Sequence, residues 1–240
     1  MVDRAAKQEY IENLSAILGK IESHFREASG YGTIDGFQTR FQDTLDPELE
    51  LEAWSTDRLR YGRTLMSLND EVPSMASALL IPRDELKCPA LAILNTFGDE
   101  GVGLVLYDMY PLGDEPSPPA VEKMAAAAKE SRSGRIPLQA LPPAMRASMG
   151  PEVWMWRGGT YGDMMGTVED LECLVDIWLQ ALEEADEVGE EVRDRRVEKR
   201  EQYLAGLRAA EASARGNMGT MLGSEEAVEP FLTEFYFPEL

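Results

Sequence analysis

A single histidine and two cysteines in 240 residues leave little from which to build a metal site. Cys88 and Cys173 lie far apart with no CxxC or Cys/His spacing, so neither a zinc cluster nor a disulfide framework is indicated, and both read as core thiols. His24 sits beside an apolar helical stripe and reads as a structural residue rather than a catalytic one. Positive charge is also scarce: 23 Lys and Arg against 44 Asp and Glu give a formal net charge of −21. That balance argues against nucleic acid, whose phosphates need concentrated Lys and Arg. No run approaches the roughly 20 apolar residues that span a bilayer. The start, Met1-Val2-Asp3-Arg4, lacks the basic-then-apolar order of a secretory signal, so the expectation is a soluble, intracellular protein without a membrane partner. Catalytic signatures are missing as well. There is no Walker loop, HExxH, GxSxG or dinucleotide GxGxxG, and Gly98 to Gly103 fits a hairpin turn.

What is present is periodicity. Tyr10, Leu14, Ile17, Leu18, Ile21 and Phe25 recur at helical spacing and predict an amphipathic helix over 5–28, ended by Gly30-Tyr31-Gly32. Between 48 and 111 the pattern changes to short apolar or alternating runs, "ELELEAWS", "RLRYGRTLMSL", "SMASALLIP", "ALAILNTF" and "GVGLVLYDMYP". Their short connections favour antiparallel neighbours, hence a meander. A Pro-rich stretch, Pro116 to Pro119, leads into a small helix, and "EVWMWRGG" reads as one more strand. Leu171, Leu174, Val175, Trp178, Leu179 and Leu182 then mark a helix. A charged helix over about 190–213 follows, with Val197, Leu204 and Leu207 inward. Helices before and after a continuous meander imply one domain, 1–240, of the α/β class: a three-layer α/β/α sandwich around a central antiparallel sheet.

Five stretches in order carry a resemblance. "EASARGNMGTMLGSEEAVEPFLTEFYFPEL" resembles the C-terminus of the ferredoxin-dependent bilin reductases, with Arg215-Gly216, Leu222-Gly223 and Phe235-Tyr236-Phe237-Pro238 at the family's turn, Phe-Gly and closing aromatic positions. "AWSTDRLRYGR", "LLIPRDELKCPALAIL", "LVLYDMYPLG" and "VWMWRGG" are similar to successive strands of the same family. The resemblance implies the same sandwich, with biliverdin or a related linear tetrapyrrole held between the sheet and the C-terminal helices. It implies no bound metal, flavin or nicotinamide. Electrons would come from ferredoxin, in the cytoplasm or, for an algal host, the plastid stroma. Phe231, Phe235, Tyr236 and Phe237 would pack the last helix onto the core, while Arg215 and Arg157 would be the guanidinium partners of the substrate's propionates. Ferredoxin is itself acidic, so docking would use a local basic patch, for which Arg58, Arg60, Arg63 and Lys87 are candidates.

The resemblance breaks where it matters for proton supply. The family's usual acid on the strand that follows Pro89 is replaced by Leu94, with Asn95 next. The aspartate of the later turn is replaced by Ala212, preceded by Glu211, and a family histidine falls near Ser77. Three readings stay open. A reductase would use Asn95 to orient water or substrate, with Glu211, Asp108 or Tyr107 as the acid. A tetrapyrrole-binding protein would retain the arginines and lack the acids. A third reading is a reductase of a chlorophyll-derived linear tetrapyrrole.

Overall fold

The computed structural model describes residues 3–68, 73–113, 119–130, 146, 149–150, 153–211 and 215–240, without the side chains of 128–130, 210–211 and 215–217. Seven strands form one sheet in sequence order, every neighbour antiparallel: β1 (Gly32–Thr33), β2 (Leu49–Ser55), β3 (Leu59–Ser67), β4 (Ser74–Pro82), β5 (Ala90–Gly98), β6 (Gly101–Tyr110) and β7 (Trp154–Gly159). The meander expected from the short connections is therefore present. The connections are tight for identifiable reasons. Thr56 Oγ1 accepts the backbone N–H groups of Arg58 and Leu59 at 3.2 and 2.9 Å, which turns β2 into β3. Gly101 opens β6 at φ +139, where a Cβ would lie 2.3 Å from the Gly159 carbonyl oxygen, so only glycine fits.

β3 to β6 are buried on both faces because helices cover both. On one face lie α1 (Arg4–Arg26), α3 (Pro119–Glu130) and α4 (Tyr161–Glu184). The predicted stripe of α1 is all buried, against Trp54, Leu80, Leu91, Ile93 and Trp178. Asp3 caps α1 by accepting from the N–H groups of Ala5 and Ala6, and Thr160 caps α4 by accepting from that of Asp163. Each cap satisfies donors that the first helical turn leaves open.

The other face is covered by α2 (Gly36–Phe41), α5 (Glu190–Glu211), α6 (Arg215–Leu222) and a closing helical segment, 225–236, whose last six residues, Phe231–Tyr236, form a wide π-turn. Phe231, Phe235, Tyr236 and Phe237 are buried here with Tyr61, Leu65 and Leu79. Each such ring contributes about 1.5–3 kcal/mol.

Two expectations need correction. Cys88 is buried, but Cys173 is exposed, since α4 points it away from the sheet. In α5, Leu204 and Leu207 face inward as predicted, yet Val197 is only half-buried, and Arg196 and Arg200 are buried instead. Their guanidinium groups find partners in the interior: Arg200 pairs with the Asp84 carboxylate, and Arg196 donates to the carbonyls of Asp84 and Cys88 at 3.1 and 2.7 Å. Among the described residues no helix is long and apolar enough to cross a membrane.

Candidate functional site

Alternation along the strands decides which side chains share a face. Tyr61, Arg63 and Leu65 of β3 point with Ser77 of β4, Ala92 and Leu94 of β5, and Leu106 and Asp108 of β6 toward α5 and the closing segment. Ser77, Ala92, Leu94 and Leu106 floor a cavity of about 80 Å³, which Leu207, Met149, Tyr236 and Phe237 roof. A wider groove of about 440 Å³ lies on the opposite face between α1 and β2. Glu22, Glu50 and Glu52 line it, so it repels an anionic ligand, and it lies away from the residues that carry chemistry.

Among the described strand residues of this face, one arginine and one carboxylic acid are buried. Arg63 is 1% exposed, with Nη1 donating to Ser77 Oγ at 2.8 Å and Nε to the Tyr236 carbonyl at 3.0 Å. The Tyr236 ring lies over its guanidinium, 4.0 Å from ring centroid to Cζ. Asp108 is fully buried, and both of its oxygens accept from the Gly150 N–H at 3.0 Å. The Tyr203 hydroxyl donates to Asp108 Oδ2 at 3.3 Å, and the Tyr203 ring stacks on Tyr110. Burial outweighs both hydrogen bonds and raises the Asp108 carboxyl to about 7. A Cβ at residue 150 would sit 2.5 Å from Asp108 Oδ1, so glycine is what allows this N–H to approach.

The other sequence-derived candidates divide sharply. Leu94 and Ser77 line the cavity. Asn95 does not: it points to the opposite face, where Oδ1 accepts from the Tyr10 and Tyr107 hydroxyls at 3.2 and 3.1 Å under α1. Tyr107 shares that face and also donates to the Thr167 carbonyl. Neither residue reaches the cavity, because consecutive strand residues alternate sides. Arg157 is exposed on the edge strand β7, paired with Leu104 at the cavity's rim. Glu211 ends α5 and Arg215 opens α6, but their side chains, like Ala212 as a whole, lie outside the described residues.

Of the docking candidates, Arg63 is removed by its burial. Arg58 is half-buried and caps the end of α4, donating to the carbonyls of Leu182 and Ala185 at 3.0 and 2.7 Å. Arg60 pairs with Asp84 at 2.7 Å, and Lys87 is half-exposed. Sequence reasoning missed Tyr203, Gly150 and the placement of Tyr236. For Tyr203 a signal existed, since it falls one turn before Leu207 on the inward stripe of α5. Among the described residues no cluster of His, Cys, Asp or Glu could hold a metal ion.

Neither a protein-family model nor a curated protein sequence matches the chain. Solved structures do. Phytochromobilin synthase from tomato, solved in complex with biliverdin, superposes with a TM-score of 0.67 at 14% identity, over 95% of this chain and 82% of that one. The fold is that of the bilin reductases. PcyX has a TM-score of 0.54, again at 14% identity, over 97% of this chain and 98% of its own.

Proposed function

We propose that the chain binds biliverdin or a close linear tetrapyrrole on the Arg63–Asp108 face of the sheet and reduces it with single electrons from ferredoxin. Each electron makes the tetrapyrrole more basic, so a positioned acid must deliver a proton without admitting bulk water. Asp108 is assigned that role, and this is the observation that carries the reading: a carboxyl that burial raises to about 7, on the same strand and face as Leu106 of the cavity floor and paired with Ala92, in a chain with Leu94 at the usual acid position. After donation, the Gly150 N–H and the Tyr203 hydroxyl stabilise the carboxylate. Arg157 at the rim and Arg215 are assigned to the propionates, Ser77 and Leu94 to the ring system, and Ala212, which lies outside the described residues, to substrate contact on the family resemblance alone. Glu211 is kept as a second acid. Asn95 and Tyr107 are not assigned chemistry, because they lie across the sheet.

One observation favours a second reading, binding without reduction: the cavity floor itself carries no carboxyl, only Ser77, Ala92, Leu94 and Leu106. Anaerobic absorbance spectra with biliverdin, before and after reduced ferredoxin, separate the two. A shift on mixing and then a new, blue-shifted product establishes the reductase. A shift that reduction leaves unchanged establishes a binding protein, and no shift on mixing removes the bilin from both.

A further inference from the structure

A protonated carboxyl has two unlike oxygens: a carbonyl oxygen, which accepts hydrogen bonds well, and a hydroxyl oxygen, which carries the proton. Around Asp108 the donors are unequally shared. Both oxygens accept from the Gly150 N–H at 3.0 Å, and Oδ2 also accepts from the Tyr203 hydroxyl at 3.3 Å. Two donors on Oδ2 favour it as the carbonyl oxygen, which leaves the proton to Oδ1. Oδ1 is also the oxygen that faces residue 150, where a Cβ would lie 2.5 Å from it, and Met149 beside that glycine roofs the cavity.

The fold holds Tyr203 so that this asymmetry is kept. Its side chain is buried with Leu204 and Leu207 of α5, and its ring stacks on Tyr110 with centroids 4.1 Å apart and 15° between the planes. A ring fixed by burial and stacking leaves its hydroxyl a narrow range of positions. At 3.3 Å the bond is long for an O–H donor, as catalytic hydrogen bonds often are before substrate arrives. The titratable and charged groups that face the pair are Tyr110 of β6, which neighbours both, Lys199 of α5, which acts on Tyr110, and Arg63 of β3, which acts on Tyr203. The Gly150 and Tyr203 donors each favour the ionised carboxyl, against the burial that raises it to about 7.

We infer that Tyr203 is a positioning residue of the proton transfer: its hydroxyl holds Oδ2 as the carbonyl oxygen and so keeps the transferable proton on Oδ1, beside Met149 and Gly150. This rests on the reading of Asp108 as the proton donor to a bilin. In the transfer the Oδ1–H bond breaks and the proton bonds to the tetrapyrrole that has taken an electron from ferredoxin. The electron pair left on Oδ1 spreads over a carboxylate whose Oδ2 already accepts from Tyr203.

The test is Tyr203→Phe, which removes one O–H and keeps the ring, with folding checked by circular dichroism. Infrared difference spectra against Asp108→Asn isolate the C=O stretch of the protonated Asp108 carboxyl without any bilin. A hydrogen bond to the carbonyl oxygen lowers that frequency, so Tyr203→Phe is expected to move the band upward. It should also raise the titration midpoint of the band by about half to one pH unit, because a donor to the ionised form is lost. A band and midpoint that stay in place overturn the inference. In ferredoxin-driven reduction of biliverdin, the alkaline limb of the kcat profile should move up with the midpoint, the plateau on its acid side should fall, and KM for biliverdin should hold. A merely structural role would not move the limb. Wild-type turnover with coincident kcat profiles for the two proteins overturns the inference and leaves the bilin reading standing. A wild type that reduces no biliverdin, whatever the band does, overturns the bilin reading and the role of Tyr203 with it. Should Tyr203→Phe not fold, the wild-type band decides, since the frequency of a carbonyl without hydrogen bonds would rule out Oδ2 as the doubly bonded oxygen.

Discussion

Arg63 and Asp108 stand in one row across the sheet, linked through the cross-strand pairs Arg63–Leu79, Leu79–Ala92 and Ala92–Asp108. Three interstrand steps of about 4.8 Å set their Cα atoms about 14 Å apart. A fixed cation thus marks one end of an apolar floor and a titrating acid the other. Under the proposed function, a planar ligand laid along that row has the proposed proton donor, Asp108, at one side. Both groups are buried, so neither is screened as a surface charge would be.

Asp108→Asn tests the acid end by activity and by stability. Turnover is expected to collapse while biliverdin affinity stays near wild type, and wild-type turnover is expected to fall as pH rises past about 7, where the carboxyl loses its proton. The stability sign follows from linkage. The folded value of about 7 lies above the ordinary 3.8, so the protonated carboxyl favours folding, and its contribution is full below about pH 4 and lost as pH rises through 7. Relative to Asp108→Asn, wild type should therefore lose stability across that window, by at most about 1.4 kcal/mol per pH unit. Urea denaturation at pH 4.5, 6 and 8 measures it, and parallel pH profiles for the two proteins would refute it.

The sheet was legible because its evidence is local: a period of two and short turns specify a meander without knowledge of distant residues. The same alternation, applied strictly, separates Leu94 from Asn95 and puts Arg63 with Tyr61 and Leu65, so the faces of these residues were readable, although motif order grouped Asn95 with the cavity and Arg63 with the surface cations. The burial of Arg196 and Arg200 was not readable. It depends on Asp84, 112 residues or more before them in the chain, and a charged helix otherwise reads as solvated. The Asp108 environment was equally hidden, since its partners, Gly150 and Tyr203, come from separate elements that only the folded chain brings together.

Neighbouring substitutions on β5 should have opposite consequences. Leu94→Asp places a carboxyl on the cavity side, opposite Ser77 and Leu106, and is expected to change the rate or the product of bilin reduction. Asn95→Asp places one under α1 between the Tyr10 and Tyr107 hydroxyls, and is expected to leave the product unchanged. There it acts on stability. Burial raises the new carboxyl, so the variant should be closest to wild type near pH 5 and progressively weaker toward pH 8. Product spectra and denaturation curves of the two variants read both effects, and an altered product from Asn95→Asp would contradict the placement.

Asp84 is the anchor of the end of the sheet near α5. Its carboxylate, 1% exposed, receives Arg60 Nη2 at 2.7 Å and also Arg200 Nη1, whose guanidinium reaches the Leu240 carbonyl at 2.8 Å. Asp84→Ala leaves these guanidinium groups facing one another without the shared anion, which should cost about 3–5 kcal/mol. A small change in the denaturation midpoint would mean that solvent or other acceptors take over. The cavity should persist in the variant that still folds, because none of these groups lines it.

For the proposed docking of ferredoxin the candidate cations outside the core are Arg58, Arg60 and Lys87, and the burial of Arg63 makes a discriminating control. Arg58 spends its hydrogen bonds on backbone carbonyls, which leaves its charge uncancelled, whereas Arg60 shares the charge of Asp84. Lys87→Glu and Arg58→Glu are therefore expected to raise the KM for ferredoxin, with the difference from wild type shrinking as salt rises. Reduction driven by a small chemical reductant should be unaffected by Lys87→Glu, since no protein partner is involved. Arg63→Gln should leave the salt dependence of ferredoxin-driven turnover unchanged, because the residue is buried. If Lys87→Glu and Arg58→Glu leave the KM for ferredoxin as it is, the partner approaches another face.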